Sequence, residues 1–259
     1  MDDAGLYGRM LAGMEAFFGL VGEGSAAGWT IRRDDLLASV CPELPRRSVF
    51  NSVVYRSTAA LEAALGELAA TYDEAGVLAW TVWTPQRDLG AREALERAGH
   101  RLDATPQAMA ARLEEIDVAG GAEGLDWERA QTVDEMCAIL EPAFGWELGP
   151  ASRVFARLPE HGHVYVARAD GLASACVFAL DAGDDCGIWN VGTLPETRGR
   201  GLGTGLMRQA LIDARERCCA TTSLQATAMG RPLYARLGYR ELGVIEMWER
   251  RRGGGGVAA

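Results

Sequence analysis

Apolar positions recur along this chain with two different periods. Leu61, Leu65, Leu68 and Tyr72 stand three or four residues apart, the spacing that lines one face of a helix, and they predict a helix over 58–72. Leu206, Ala210 and Ala214 repeat that spacing within 202–217. Short apolar runs at 52–55, 78–83, 164–167, 188–193, 224–227 and 244–248 read as strands. Two shorter helices are predicted at 91–98, ended by Gly99, and at 232–237, opened by Pro232 and ended by Gly238. Proline is preorganised for a first helical turn, and glycine accepts the left-handed backbone that closes a helix. Further helices are expected at 133–144 and 151–158.

Laying Gly99 on Gly238 brings two series of elements into line. In the second, the strand 188–193 leads into a long helix, a strand, a short helix, a glycine and a last strand; in the first, 52–55 leads into the same order as far as Gly99. The expectation is an α/β chain of two similar halves that meet in the Gly/Glu-rich stretch 119–124. The run of four glycines at 253–256 has no side chains to bury and reads as part of a flexible tail over 253–259.

Composition narrows the function classes. Residues 1–121 carry 11 positive against 18 negative side chains, and residues 122–259 carry 15 against 18, so neither half has the basic excess of a nucleic-acid or anionic-membrane binder. No apolar run reaches the ~18–20 residues of a membrane span. The acidic start, Met1-Asp2-Asp3, lacks the basic region of an export signal, and the expected address is the cytoplasm. The six cysteines form no C-x-x-C pair and the three histidines have no zinc-type spacing to them, so free thiols and no metal are expected.

The candidate chemistry lies between Ile188 and Gly238. The strand 188–193 passes through Leu194 and Pro195 into Arg198-Gly199-Arg200-Gly201-Leu202-Gly203-Thr204-Gly205 and then a helix. Glycines at such a turn let backbone approach a ligand, and the first helical turn points unpaired N–H groups and a positive dipole end at an anion. A dinucleotide fingerprint fails at Thr204 and Leu206, where it needs glycine, and a triphosphate loop fails because the chain contains no lysine.

Arg198-x-x-Gly201-x-Gly203 after a strand bearing Val191, Thr193 and Pro195 resembles the acyl-CoA pyrophosphate loop of the GNAT N-acetyltransferase superfamily. Leu224-Gln225-Ala226-Thr227 and Leu233-Tyr234-Ala235-Arg236-Leu237-Gly238-Tyr239 are similar to that family's next strand and its "LY-x-x-x-GF" helix, so the likeness covers about 164–248. The resemblance implies two GNAT-like halves with a mixed central sheet flanked by helices: a degenerate domain over 1–121 and a catalytic one over 122–252. It implies transfer of an acetyl group from acetyl-CoA, as cosubstrate, to a primary amine of a small-molecule acceptor by direct attack. The pyrophosphate would lie on the N–H groups of Gly199, Arg200, Gly201, Leu202, Gly203 and Thr204, with Arg198, Arg200 and Arg231 adding local positive charge or standing as solvated surface arginines. Val191 and Thr193 would pair with the pantetheine arm, and an N–H near Val191 or Gly192 would polarise the thioester carbonyl.

Tyr234 matches the family's tyrosine that protonates the departing thiolate, against the alternative of a core tyrosine packed on the sheet. Thr227 departs from the family pattern, which often has a cofactor-contacting asparagine there. Trp146 and Glu147 fall in a loop where family members commonly bind acceptor, so Glu147 is a candidate to meet a cationic amine; rim packing with a solvated charge is the plainer reading. No acidic residue sits in a motif that marks it as general base. His161 and His163 are expected in a loop, not as a dyad. In the first half, Arg56-Ser57 alone joins strand to helix, leaving no room for a phosphate cradle. The rival reading is a non-catalytic acyl-CoA-binding or interaction protein.

Overall fold

The computed structural model describes residues 1–145, 151–155 and 159–253. In chain order the helices are α1 (Asp3–Gly24), α2 (Thr58–Glu74), α3 (Leu89–Arg97), α4 (Asp134–Ala143), α5 (Ala151–Val154), α6 (Leu202–Glu216) and α7 (Arg231–Leu237). The strands are β1 (Trp29–Arg33), β2 (Leu36–Val40), β3 (Ser52–Tyr55), β4 (Ala79–Pro85), β5 (Arg101–Ala104), β6 (Gln107–Arg112), β7 (Asp126–Ala130), β8 (Gly162–Ala169), β9 (Leu172–Ala182), β10 (Asp185–Thr193), β11 (Thr221–Ala226) and β12 (Arg240–Arg251). Each predicted element has a counterpart within a few residues of its expected bounds, although residues 156–158 of the helix expected at 151–158 lie outside the described residues. So do residues 254–259 of the expected tail.

The chain divides into two compact units. The larger holds residues 1–13, 108–152 and 156–242, and the smaller holds 14–107, 153–155 and 243–259. This is not the cut expected at 119–124. Residues 108–112 of β6, from the first half of the sequence, belong to the larger unit, where β6 neighbours β11. Residues 243–251 of β12, from the end of the second half, belong to the smaller, where they pair antiparallel with β4 from Ile245↔Pro85 to Arg251↔Ala79. The halves have exchanged their final strands, and hydrophobic periodicity carries no information about which sheet a strand joins.

In the smaller unit the order is β1-β2-β3-β4-β12, with β5 also on β12, and β3 runs parallel to β4. A parallel pair needs a crossover, and α2 supplies it. Ser57 caps α2 by accepting a hydrogen bond from the Ala60 N–H, and Leu61, Ala64, Leu65, Leu68 and Tyr72 bury the face that periodicity marked. In the larger unit the order is β6-β11-β10-β9-β8-β7; β10 and β11 are parallel across the crossover α6, and the remaining neighbours from β10 to β7 are antiparallel. The α6 face bearing Leu202, Leu206, Ala210 and Ala214 packs into a core with Ile188, Leu224, Tyr234 and Leu237.

His100, just after the glycine that ends α3, is 3% exposed, and neither ring nitrogen has a hydrogen-bond partner among the described residues. Its ring stands edge-on to Trp80 at 4.4 Å between centroids. Burial, with the charge of Arg250, pushes its pKa down to about 4.

Two expectations follow from this architecture. An isolated 122–252 fragment lacks β6 and leaves the β11 edge open, so it should unfold at lower denaturant or not fold at all; a fragment as stable as the full chain in urea titration would contradict the exchange. Because the folded His100 takes up its proton less readily than the unfolded one, stability should fall as pH drops from about 6.5 to about 4. A His100→Leu chain should escape up to ~3 kcal/mol of that loss. Parallel stability curves for the two proteins across that window would refute the assignment.

Candidate active site

The ladder between β10 and β11 is short. It joins Asp185↔Thr221, Cys186↔Thr222 and Gly187↔Ser223, yet β10 continues to Thr193 and β11 to Ala226. At the joined end the Asp185 carboxylate, 1% exposed, accepts hydrogen bonds from Thr221 Oγ1 at 2.6 Å and Ser223 Oγ at 2.6 Å. Burial raises the pKa of Asp185, and the two hydroxyl donors and Arg9 oppose that rise. Arg9 itself reaches Asp184 at 2.5 Å.

Toward its other end β10 carries a bulge. Trp189 pairs with Phe178 and Gly192 with Cys176, so Asn190 and Val191 stand opposite Val177 alone. Asn190 adopts a left-handed backbone with φ 51°, and its carbonyl accepts from the Cys176 thiol at 3.4 Å. The Asn190 side-chain nitrogen is closed off from solvent and has no hydrogen-bond partner among the described residues. Val191 is half-buried against the core of the larger unit. Sequence reasoning missed the bulge; an asparagine inside an apolar strand is its one visible trace.

Beyond Thr193 the chain turns into α6. Gly199 and Gly201 take φ 79° and 80°, a region costly for residues with a side chain, and Gly201 is the N-cap of α6. A Cβ on Gly203 would stand 3.3 Å from Thr193 Oγ1, so the first turn of the helix lies close against the end of β10. Thr204 is half-buried, while Leu202 sends its side chain into the core, leaving only its backbone for a ligand. The arginines are already engaged. Arg198 bonds the carbonyls of Thr193 and Ala143, Arg200 pairs with Asp170 at 3.0 Å, and Arg231 pairs with Glu241 at 2.6 Å.

On the β11 side, Thr227 is exposed and its hydroxyl accepts from the Gly230 N–H at 3.2 Å, making the turn into α7. Tyr234 on α7 is 8% exposed and stands edge-on to Tyr239 at 5.9 Å. Burial pushes its phenol up to about 12, so the proton stays on at neutral pH. Its ring packs in the core of the larger unit.

Two expected site features stand differently. Trp146 and Glu147 lie outside the described residues. His163 is not in a loop; it lies on β8, is 4% exposed, and contacts Arg129 and Asp181. Burial works to raise the Asp181 pKa, but hydrogen bonds from His163 and Arg217 and the Arg217 charge outweigh it and hold the carboxylate well below its usual range. His161 precedes that strand, as expected.

The corresponding place in the smaller unit is filled from within. Tyr55 at the end of β3 and Thr58 at the start of α2 both donate to Asp88 Oδ2 at 2.8 Å, while Asp88 Oδ1 accepts from the Ala91 N–H at 3.0 Å and caps α3. Asp88 thus ties the end of β3 and the first residue of α2 to the start of α3, while the Ala60 N–H in the first turn of α2 is met by Ser57.

Residues 160–241 match the family model of the acetyltransferase (GNAT) domain. No curated protein sequence matches the chain significantly. Among solved structures the chain is similar to a GCN5-related N-acetyltransferase from Kribbella flavida, at 19% identity, TM-score 0.68, and coverage of 95% of this chain and 96% of that one. A GCN5-related N-acetyltransferase from Sphaerobacter thermophilus matches at 19% identity and TM-score 0.60, covering 86% and 83%. A tandem GNAT protein from the clavulanic acid biosynthesis pathway matches at 14% identity and TM-score 0.58, covering 96% of each chain. At these identities the likeness is one of fold.

Proposed function

We propose that this chain, whose residues 160–241 form a GNAT acetyltransferase domain, is an N-acetyltransferase that moves the acetyl group of acetyl-CoA to the primary amine of a small-molecule acceptor. One observation carries the reading: β10 and β11 part after Gly187 and Ser223, and the freed end of β10 runs through a left-handed glycine turn directly into the N-terminus of α6. A strand edge without its neighbour offers backbone hydrogen bonds to an extended arm, and the helix start offers them to an anion. Acetyl-CoA presents that pair of features, a diamide arm joined to a pyrophosphate.

In this reading the N–H groups from Gly199 to Thr204 hold the pyrophosphate, and Val191 and Thr193 pair with the pantetheine arm. An N–H at Val191 or Gly192 faces the thioester oxygen as negative charge develops there. The amine nitrogen attacks the carbonyl carbon, the C–S bond breaks, the amine proton leaves to water, and Tyr234 gives its phenol proton to the departing sulfur. A phenol held near 12 is a weak acid, so its contribution belongs at the low end of general-acid effects, ~10²-fold. The 1–121 half carries no cradle, and a tandem relative of similar fold supports reading it as a degenerate GNAT-like domain beside a catalytic one over 122–252.

Calorimetry with acetyl-CoA should therefore saturate at one site per chain and show no binding to a folded Gly201→Val/Gly203→Val protein; two sites, or unchanged affinity in that variant, would defeat the cradle assignment. With an acceptor identified by CoA release across a panel of primary amines, Tyr234→Phe should lower kcat by ~10²-fold with little change in acetyl-CoA affinity. A kcat equal to that of the parent would return Tyr234 to core packing alone.

A further inference from the structure

At the last turn of α4 the chain's own N–H groups reach back to some carbonyls, and a side chain from elsewhere reaches the last one. Phe144 donates its N–H to Leu140 O at 2.9 Å and Gly145 donates to Pro142 O at 3.3 Å. Ala143, the last helical residue, has its carbonyl met by the guanidinium of Arg198, from Nη2 at 3.1 Å. The same guanidinium donates from Nε to the carbonyl of Thr193 at 3.2 Å. Arg198 therefore fastens the negative end of a helix dipole to the end of β10, and it does so from the first position of the glycine-rich turn.

The helix held in this way also lies against the bulge of β10. A Cβ on Gly192 would come within 3.1 Å of Leu140 Cδ2 and 3.5 Å of Ile139 Cγ2, both on α4. A planar guanidinium has enough fixed donors to span two carbonyls at once, whereas an ammonium is a point charge on a flexible stem.

We propose that Arg198 is a positioning residue: through this two-carbonyl strut it holds the end of α4 against the end of β10 and the cofactor turn, and its side chain is not a phosphate ligand. The proposal rests on the acetyl-CoA reading above, in which the backbone of the turn holds the pyrophosphate. It assigns Arg198 a task for which positive charge alone is insufficient.

Arg198→Gln and Arg198→Lys separate the two roles, because lysine keeps the charge and loses the fork. Hydrogen exchange is followed by mass spectrometry on the full chain, with and without acetyl-CoA, and affinity by calorimetry, after circular dichroism shows the variants folded. Both variants should exchange the amides of 140–145 about tenfold faster than the parent while binding acetyl-CoA within about twofold of the parent affinity. Acetyl-CoA should slow exchange at 140–145 in the parent and leave it unchanged in both variants, a coupling that mere local packing would not produce. The proposal is overturned if Arg198→Gln weakens acetyl-CoA tenfold or more and Arg198→Lys restores it, or if exchange at 140–145 is the same in all three proteins. A parent that binds no acetyl-CoA would defeat the cofactor reading, and exchange in the free proteins would still decide whether the strut exists.

Discussion

Two parallel strands stay paired only while their paths stay together, and in this chain β10 is held to β11 at one end and bent away at the other. The buried Asp185 carboxylate fixes the joined end by taking hydroxyls from both Thr221 and Ser223. The extra residue at Asn190–Val191 adds local bend and twist to β10. Everything proposed for the site depends on that parting. It frees the edge from Ile188 to Thr193, and it sets the direction from which the chain turns into α6. The cost is visible as a left-handed asparagine backbone and a buried amide nitrogen without a partner among the described residues.

The electrostatics of the glycine-rich turn are those of a helix start more than of free cations. The chain carries net negative charge, and the three arginines that sequence places around the turn are committed to Thr193 and Ala143 carbonyls, Asp170 and Glu241. An anion arriving there meets oriented N–H groups whose partial charge needs no reorganisation. The junction of β3 and α2 in the smaller unit is organised differently. There the donors at the start of α2 and the end of β3 already serve Asp88.

Much of this was legible in residue patterns because the signals are local. Pro232 and Gly238 bracket α7, the spacing of Leu61, Leu65, Leu68 and Tyr72 gives α2 its buried face, and Gly199 and Gly201 mark the turn by a backbone that few other residues adopt. What escaped is set by partners distant in sequence. His163 reads as a loop residue beside Gly162 until β9 is laid alongside and Asp181 comes into reach. Arg198 reads as local positive charge or a solvated surface arginine, and its bond to the Ala143 carbonyl, 55 residues away in sequence, leaves no trace in that reading. The exchange of β6 and β12 leaves no periodicity at all, since a strand pattern is the same whichever sheet receives it.

That exchange also fixes an order of events at the ribosome. The edge of β4, buried along nearly its whole length in the finished protein, pairs with residues 245–251, which are among the last described residues of the chain. Until they emerge, an apolar strand rich in tryptophan and threonine is synthesised and left without this neighbour while residues 86–244 are still being translated. At ~5–20 residues per second, the interval from residue 85 to residue 245 is about ten to thirty seconds. For that interval the β4 edge that will meet β12 presents its backbone N–H and C=O groups unpaired, the exposure that strand edges in finished proteins are built to avoid.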